Sequence, residues 1–425
     1  MFEVLITIIA LLVLLALSVP VAFAILAATL LGLILIGDFP LHVTAQASFQ
    51  PTGDFLLLAI PFFILTADLL ANGTLGRQVI GLATRIVGRF RGGVGHSSVV
   101  TSLVFSGVSG SAVADASGLG RVLIPWTKKV GYPAPFAAAV NSSTSILGVI
   151  IPPSIPMILF AATSGVSVAA IFAAGIVPGL LLAVSMLAVC WFVAFRNGFP
   201  RVRVKLTPKR LLKDLLLALP AIVFPVLMIR LVLLYGIATV TEVSVLAALY
   251  AVLIRVTIYR DLSLRAFLQS LLSTAAATGI VMLLIMTSSA LSWLLTVQEV
   301  PQELAALVLD RIEAPWLITL AMIALLLIVG MFLDMSPAIL LLTPVLMPLG
   351  EQIGMDPIHL GVIIVLSLAV GLFTPPVGTT LYISSSIGEV KVEKTVQALV
   401  PFYIASIAVL LLIAFVPALL VQIGG

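Results

Sequence analysis

The chain is dominated by apolar runs of the length that crosses a membrane. Stretches of roughly 20 apolar residues, enough for a helix to span about 30 Å of hydrocarbon, recur along the chain between short polar segments. The run from Val4 to Ile36 is too long for one span, so we expect a break near Ser18–Pro20. The alternation typical of membrane β-strands does not recur. The pattern therefore predicts an all-α polytopic membrane protein.

Composition supports this class. The 425 residues are 62% hydrophobic and 9% charged, whereas about a quarter of the residues in a soluble domain are charged. The net charge of +4 reflects basic loops, which orient membrane proteins, and does not indicate nucleic acid. The single Cys190 excludes intrachain disulfides and Cys-rich metal sites. The first residues, MFEVLITIIA, lack the basic start of a signal peptide and predict a retained membrane helix.

Two double prolines interrupt apolar sequence at matched positions. Pro152 in GVIIPPSIPM and Pro375 in GLFTPPVGTT are 223 positions apart. Because proline lacks an N–H donor and fixes φ, each pair interrupts a helix. The same shift, without gaps, pairs Gly107 with Gly330, Pro125 with Pro348, Gly131 with Gly354 and Gly148 with Gly371. We therefore predict a unit used twice, with one broken helix in each half; a simple kink is the alternative.

Charge indicates that the two halves face opposite ways. The first half contains the basic arm RQVIGLATRIVGRFRGG, whereas its counterpart VQEVPQELAALVLDRIEAP is net acidic. Basic segments stay in the cytoplasm, so the difference predicts an inverted-topology repeat, as is common in secondary transporters. Both arms look amphipathic and are expected along the membrane interface; ordinary solvated loops are the alternative.

The stretch between each arm and broken helix is expected to enter the membrane and return. In the first half it is flanked by Arg91 and by Lys128 and Lys129, so both ends face one side and the polar SGVSGSAVADASG forms the tip. The counterpart tip is GMFLDMSPA. Non-helical backbone at membrane depth must be buried in protein or line a cavity. The two tips and the two broken helices should therefore meet near the midplane.

These patterns predict two inverted repeats joined by a basic cytoplasmic linker. The first repeat, residues 1–195, has scaffold helices at 4–36, a cytoplasmic arm at 73–91, a re-entrant hairpin at 95–126 and a broken helix at 133–164. The linker covers residues 196–213. The second repeat, residues 214–425, has scaffold helices at 214–258, a periplasmic arm at 299–314, a hairpin at 316–348 and a broken helix at 356–386.

A broken helix supplies two kinds of binding group. Its free carbonyls, with Ser and Thr hydroxyls, suit a small hard cation such as Na⁺, and its free N–H groups suit a carboxylate. Asp115 and Asp334 are the only acids at the two tips. A carboxylate at membrane depth is a functional candidate, with a helix N-cap as the alternative. For the neighbouring Ser and Thr residues, helix packing is the alternative.

Other chemistries have less support. No GxxxxGK[ST] loop is present to bind ATP, and the three His residues are scattered and suggest no metal site. The segment GVSG at Gly107–Gly110 has the form found in intramembrane serine proteases, with His359 as the conceivable base, but the repeat accounts for the same glycines. A channel needs a continuous pore, whereas two opposed hairpins favour alternating access. We predict a secondary active transporter, not an enzyme, without an organic cofactor.

Five long motifs carry a family resemblance. LLAIPFFILTADLL, RGGVGHSSVVTSLVFSGVSGSAVADASGLG, GYPAPFAAAVNSSTSILGVIIPPSIPM, GMFLDMSPAILLLTPVLMP and GLFTPPVGTTLY resemble the DctM-type large membrane subunit of tripartite ATP-independent periplasmic (TRAP) transporters, from about Pro20 to the C-terminus. The resemblance implies a Na⁺-driven elevator transporter in the bacterial inner membrane that imports C4-dicarboxylates, keto acids or sugar acids. It also implies a periplasmic substrate-binding protein and a separate small four-helix membrane subunit. A related Na⁺/dicarboxylate elevator symporter without a binding protein is the alternative.

The resemblance also implies Na⁺ at each hairpin tip, against the broken helix. Carried over by motif, the Na⁺ residues are Ser106, Ser109, Gly148 and Pro152 in the first half, and Gly330, Gly371, Thr374 and Pro376 in the second. The substrate residues are Ser111, Asp115, Ser143, Thr144, Asp334, Gly378 and Thr379. Where the family usually has TAASS…IGPIIPPS, this chain has NSSTSILGVIIPPS, so Asn141 and Val149 depart from the pattern.

Overall fold

The computed structural model describes residues 2–37, 41–71, 74–201, 208–229, 237–312 and 314–420, and these residues form α-helices joined by short segments. In the first half the helices are α1 (Phe2–Ala16), α2 (Val21–Ile36), α3 (Leu41–Phe49), α4 (Ala59–Ala71), α5 (Thr74–Val87), α6 (Gly93–Ser109), α7 (Ala112–Gly118), α8 (Gly120–Lys129), α9 (Ala134–Thr144), α10 (Ile155–Ser164) and α11 (Val168–Arg196). In the second they are α12 (Pro208–Ile229), α13 (Val240–Ile254), α14 (Leu264–Val297), α15 (Val300–Leu309), α16 (Pro315–Phe332), α17 (Met335–Gln352), α18 (Pro357–Gly371), α19 (Thr379–Gly388) and α20 (Val392–Phe415).

Several helices have the length and composition of membrane spans. Among the described residues, five helices qualify, namely α11, α13 with its π-helical extension to Tyr259, α14, α16 and α20. The bent pair His42–Gly53 and Phe55–Ala71, whose axes differ by 55°, gives a sixth span if counted as one. The first apolar run breaks between α1 and α2, as predicted, because Pro20 begins a new helix as its N-cap. The prediction of a multi-pass helical membrane protein is confirmed.

The 223-residue shift is visible in the helix ends of the two halves. It carries α6 onto α16, the start of α7 onto that of α17, the end of α8 onto that of α17 and the start of α9 onto that of α18, each within one residue. Gly131 and Gly354 are paired by the same shift, and both have positive φ, 97° and 72°. Because only glycine adopts this conformation at little cost, these two positions require it.

The two arms are helices, which removes the solvated-loop alternative. The first arm forms α5, where Arg85 makes an ion pair of 2.6 Å with Asp214 of α12. The second arm forms α15, with Pro301 in its first turn. The central linker is shorter than the predicted 196–213, because α12 already begins at Pro208. Proline is favoured in the first helical turn, where its missing N–H has no partner to lose.

A buried clamp fixes the start of the first arm. The Arg255 guanidinium, 4% exposed, donates to Asp261 Oδ1 at 2.9 Å and to the Leu69 carbonyl at 3.0 Å. Asp261 Oδ2 accepts from the Thr74 N–H at 2.6 Å. Burial acts to raise the pKa of the Asp261 carboxyl, but the hydrogen bonds from Arg255 and Thr74 outweigh it and hold that pKa below its usual value.

The two broken helices occupy the centre of the fold. All residues of α9 from Phe136 to its end are buried, and so is α18 from His359 to its end. Their breaks contain the two double prolines. Pro152 and Pro153 of the first break are buried, whereas Pro376 and Val377 of the second are exposed. At membrane depth, interrupted backbone is tolerated where it is buried in protein or lines a cavity.

Candidate functional site

A cavity of about 810 Å³ lies between the two hairpin tips, α4 and α14. The first tip contributes Ser109, Ser111 and Asp115, and the second contributes Asp334. Val149 and Leu372, from the two breaks, also line the cavity at positions that the 223-residue shift superimposes. The structure therefore brings together both tips and both breaks. It also brings four of the predicted site residues to one cavity.

The first tip is a turn between α6 and α7. Gly110 ends α6 with φ of 60°, and Ser111 is the N-cap of α7, with its side chain accepting from the Ala114 N–H at 3.4 Å. Asp115 lies in the first turn of α7 and is 2% exposed. Because Ser111 occupies the cap position, the N-cap alternative for Asp115 is wrong.

Two oxygens of the first tip converge on the first break. A Cβ added to Gly148 would lie 2.6 Å from Asp115 Oδ2 and 3.1 Å from Ser109 Oγ. Both oxygens are buried, and neither has a hydrogen-bond partner outside this pair among the described residues. An unpartnered buried oxygen costs about 1–3 kcal/mol. A carboxylate and a hydroxyl left in this state are suited to a bound cation.

The second tip is built differently. Asp334 occupies the N-cap position of α17, but its side chain makes no capping hydrogen bond, and it is exposed to the cavity. The 223-residue shift superimposes it on Ser111, not on Asp115. Behind it, a Cβ added to Gly371 would lie 2.4 Å from the carbonyl carbon of Gly330. The two glycines thus let the hairpin and the second broken helix touch through their backbones.

Each break is attached to its hairpin by backbone hydrogen bonds. The Ile155 N–H, at the start of α10, donates to the Gly110 carbonyl at 3.3 Å. In the second half the Gly378 N–H, before α19, donates to the Met331 carbonyl at 3.3 Å. The bonds Pro152–Pro153 and Pro375–Pro376 are cis. The N–H groups at these two positions are therefore engaged by the hairpins.

Several predicted site hydroxyls are already engaged inside the helices. Ser106 Oγ donates to the Leu103 carbonyl at 2.6 Å and Ser143 Oγ to the Ala139 carbonyl at 2.9 Å. Thr144 Oγ1 accepts from Ser102 Oγ at 3.1 Å, and Thr374 Oγ1 donates to the Val370 carbonyl at 2.7 Å. Thr379 Oγ1, by contrast, is buried without a described partner. Of the predicted prolines, Pro152 is buried and Pro376 exposed.

Polar contacts that the sequence reasoning missed join the two breaks. Ser142 Oγ lies 3.2 Å from Thr380 Oγ1, and Asn141 Nδ2 donates to Ser384 Oγ at 2.9 Å. These residues are 238 and 243 positions apart. The only sequence signal was their place beside the two double prolines, which predicts proximity but not pairing.

Arg121 is the other residue that was missed. Its side chain is exposed and lines the cavity, and no other Lys or Arg of the described residues does so. It makes no ion pair within the described part of the chain. The sequence signal for it is that Arg121 is the only charged residue in the segment GLGRVLIP.

The structure does not support the protease alternative. His359 Nε2 is hydrogen-bonded with the Ile413 carbonyl at 2.9 Å, and His359 is not among the residues lining the cavity with Ser109. Nor do the described ranges contain a group of three or more His, Cys, Asp or Glu side chains able to hold a metal ion. The arrangement at the tips is one of hydroxyls, carboxylates and backbone carbonyls.

Interrupted helices packed around a cavity that is lined by apolar, hydroxyl and charged side chains define a helical membrane transporter fold. The fold is similar to that of the Alcanivorax borkumensis YdaH transporter, with a TM-score of 0.64, 15% sequence identity and coverage of 89% of this chain and 88% of that one. Residues 8–419 match the family model for the tripartite ATP-independent periplasmic transporter, DctM component. The chain belongs to this family.

Curated relatives match most of the length of the chain. It is 33% identical to the 2,3-diketo-L-gulonate TRAP transporter large permease protein YiaN of Escherichia coli, over 96% of this chain and 95% of that protein. It is also 33% identical to the C4-dicarboxylate TRAP transporter large permease protein DctM of Pseudomonas aeruginosa, over 87% of this chain and 86% of that protein. These relatives are named as transporter permeases.

Proposed function

We propose that the chain is the large permease subunit of a Na⁺-coupled TRAP transporter that imports organic acids. In this proposal, a periplasmic binding protein delivers the substrate, and a small four-helix membrane subunit completes the translocator in the inner membrane. The observation that carries it is the cavity between the hairpin tips, which holds unpartnered acidic and hydroxyl oxygens together with one guanidinium.

The substrate part of the proposal depends on Arg121. A guanidinium binds a carboxylate through two parallel N–H···O bonds, and Arg121 is the only Lys or Arg among the described residues that line the cavity. Ser111 and Ser117, on the same wall, offer hydroxyls to an organic acid. Asp334, exposed at the opposite tip, would accept a hydrogen bond from a substrate hydroxyl.

The ion part depends on the first tip. Asp115 Oδ2 and Ser109 Oγ are buried and unpartnered beside Gly148, and Na⁺ is a hard cation that takes oxygen ligands. A bound Na⁺ would satisfy both oxygens and would hold the tip against the break. Because the tip also lines the cavity, occupation of this site would set the shape of the substrate site, which is a direct route to coupling.

Two clefts along α14 support alternating access. The cavity follows the first part of α14, at Ser273–Val281, and also contacts Ile80 of the basic arm, so it opens towards the cytoplasm if the basic side is cytoplasmic. A second cleft of about 450 Å³ follows a later part of α14, at Ile285–Thr296, against α3, α10 and α17. We propose that the hairpins and broken helices move as a unit past α14 and the helices beside it, so that one cleft closes as the other opens.

The test is uptake into proteoliposomes that contain this chain, the small subunit and the binding protein. We expect accumulation of C4-dicarboxylates, keto acids or sugar acids with an inward Na⁺ gradient and none with K⁺ in its place. Uptake that requires ATP and ignores Na⁺ would overturn the proposal. Uptake without the binding protein would favour the symporter alternative.

A pair of variants tests the substrate site. In Arg121→Gln the half-saturating substrate concentration should rise about tenfold or more, since a charge-assisted hydrogen bond contributes about 1.5–3 kcal/mol. Lys129→Gln removes the same charge from an exposed position of the same helix, outside the cavity. Equal effects of the two substitutions would show that Arg121 acts only through its long-range field.

A further inference from the structure

A basic pocket of about 500 Å³ lies outside the cavity, where the turn after α5 meets the end of α11. It is lined by Arg89, Phe90, Arg91, His96, Trp191 and Arg201. Two of its arginines come from the first arm and the third from the segment after α11, so tertiary structure alone brings them together. Within the described part of the chain, none of the three forms an ion pair. The proposed transport function does not use this pocket.

The backbone beneath the pocket is fixed by close packing. Gly92 has φ of 79°, and a Cβ added there would lie 2.7 Å from the Cys190 carbonyl oxygen of α11. One helical turn away, His96 Nε2 is hydrogen-bonded with the Leu187 carbonyl at 3.0 Å. The turn that carries Arg89 and Arg91 is therefore seated directly on α11, and the pocket is formed before any ligand binds.

Three guanidinium groups in one pocket favour binding of an anion, which would neutralise their charge. Like charges at short range repel one another, and the planar guanidinium fork matches the geometry of phosphate. Arg91 lies over the Phe195 ring, 5.1 Å from its centroid, and Arg89 lies 5.0 Å from the centroid of Phe90. These cation–π contacts orient the side chains while leaving their N–H donors available.

The pocket is placed at the level of the membrane interface. Trp191 lies near the end of α11, a membrane span that ends at Arg196, and tryptophan is enriched at the interface. On the same helix Leu180, Val184, Trp191 and Phe195 are 47%, 62%, 50% and 54% exposed, and their spacing places them along one face. This apolar face leads from the membrane interior to the pocket, as the acyl chain of a bound lipid would.

We propose that this pocket, named here the arginine pocket, binds the phosphate of an anionic phospholipid whose acyl chain lies along the exposed face of α11. Basic pockets on the cytoplasmic side of membrane proteins recognise such headgroups. The apolar face favours a lipid over a free phosphate ion, because a small ion would make no use of it. It also favours a lipid over an acidic protein segment, because the charged residues of such a segment would gain nothing from contact with an apolar helix face. The site would tie the first arm to the membrane surface.

The test uses the full-length chain in detergent and native mass spectrometry with phosphatidylglycerol or phosphatidylcholine. In the variant Arg89→Gln/Arg91→Gln/Arg201→Gln, we expect affinity for phosphatidylglycerol to fall at least about tenfold, since each basic residue contributes about 1 kcal/mol near an anionic surface. The matched control, Arg196→Gln/Lys209→Gln/Lys213→Gln, removes the same charge from exposed residues outside the pocket and should bind like the wild type. Phosphatidylcholine should bind weakly to all three proteins.

Single substitutions keep the proposal testable if the triple variant misfolds. Arg91→Gln should lower phosphatidylglycerol binding about fivefold by the same contribution per residue, whereas Lys213→Gln, at an exposed position outside the pocket, should leave it unchanged. Thermal stabilisation should follow phosphatidylglycerol and not inorganic phosphate. Equal lipid binding by the pocket and control variants would overturn the proposal. So would equal stabilisation by phosphate, or loss of small-subunit binding with lipid binding unchanged.

Discussion

The two hairpin tips share a backbone plan but not a chemistry. In the first, Ser109 and Asp115 place two unpartnered oxygens against Gly148. In the second, the 223-residue shift puts Phe332 and Ala338 at the positions of Ser109 and Asp115, and the backbone of Gly330 itself rests on Gly371. The same fold thus makes a contact through side-chain oxygens in one half and a tight backbone contact in the other.

The difference indicates that the two tips have different roles. The first tip has side-chain oxygens that can bind an ion, whereas the second presents its one carboxylate, Asp334, to the cavity. Backbone closeness at Gly371 leaves little room for side-chain ligands between that hairpin and its break. We therefore expect ion dependence to reside more in the first tip and substrate dependence to be shared across the cavity.

The two arms also differ, in the ion pairs that attach them to neighbouring helices. The first arm begins at Thr74, which the buried clamp of Arg255 and Asp261 holds in place. The second arm, α15, makes no ion pair within the described residues. Within the described residues, the first arm is thus held by ion pairs and the second by packing alone against α14 and α17.

The largest expected effect is that of Asp115→Asn. Removing the charge of a buried cation ligand should raise the half-saturating Na⁺ concentration for uptake by about 100-fold, the equivalent of about 2.7 kcal/mol. Asp334→Asn, the matched change in the other tip, should alter substrate half-saturation and leave that for Na⁺ within about twofold. Uptake against Na⁺ concentration in proteoliposomes measures both. An Asp115→Asn transporter with wild-type Na⁺ dependence would contradict the division between the tips.

Gly371→Ala and Gly148→Ala test how rigid each contact is. At Gly371 the added Cβ meets the backbone of Gly330, which cannot rotate away, so we expect a stability loss of about 3 kcal/mol or more. At Gly148 it meets the Asp115 side chain, which can turn, so we expect weaker Na⁺ dependence with a smaller loss of stability. Thermal unfolding in detergent measures the loss of stability, and uptake against Na⁺ concentration measures the loss of Na⁺ dependence. Similar losses of stability would show that the tips are packed alike.

Asp261→Asn tests the attachment of the first arm. Breaking a buried ion pair should lower stability by about 3 kcal/mol at neutral pH. Because the pKa of Asp261 is lowered in the folded protein, its contribution is complete above the unfolded value of about 3.9 and is lost as pH falls through the folded value. The gap between variant and wild type in thermal unfolding should therefore narrow below about pH 4. A gap that does not depend on pH would assign the effect to packing.

Ser109→Ala and Thr374→Val should have the smallest effects. Ser109 Oγ has no described partner and Thr374 Oγ1 already donates to Val370, so we expect Na⁺ half-saturation to rise about fivefold in the first and about twofold in the second. Ser97→Ala removes a buried hydroxyl of α6 that donates to Gly93, and serves as the control. A larger effect of Thr374→Val would move the principal ion site to the second half.

Much of the organisation could be predicted because it depends on residues with special backbone geometry. Proline and glycine act locally, so their spacing disclosed the repeated unit, the split between α1 and α2 and the two helix breaks. The same 223-residue shift pairs Asp334 with Ser111. Treating Asp334 and Asp115 as equivalent acids of the two tips obscured this pairing. The family resemblance supplied the predicted ion residues, the polar side chains at the tips and breaks supplied the predicted substrate residues, and the roles of both sets stay predictions.

By itself, the sequence determined the class of protein, the number of times its unit is used and where each helix must break, because apolar length, proline and glycine act through nearby backbone. Only the tertiary structure decided which polar atoms are left without partners, that Arg121 lines the cavity, and that arginines from the arm and from the segment after α11 share one pocket. These outcomes depend on side chains brought together across the chain, and the local pattern does not encode those distances.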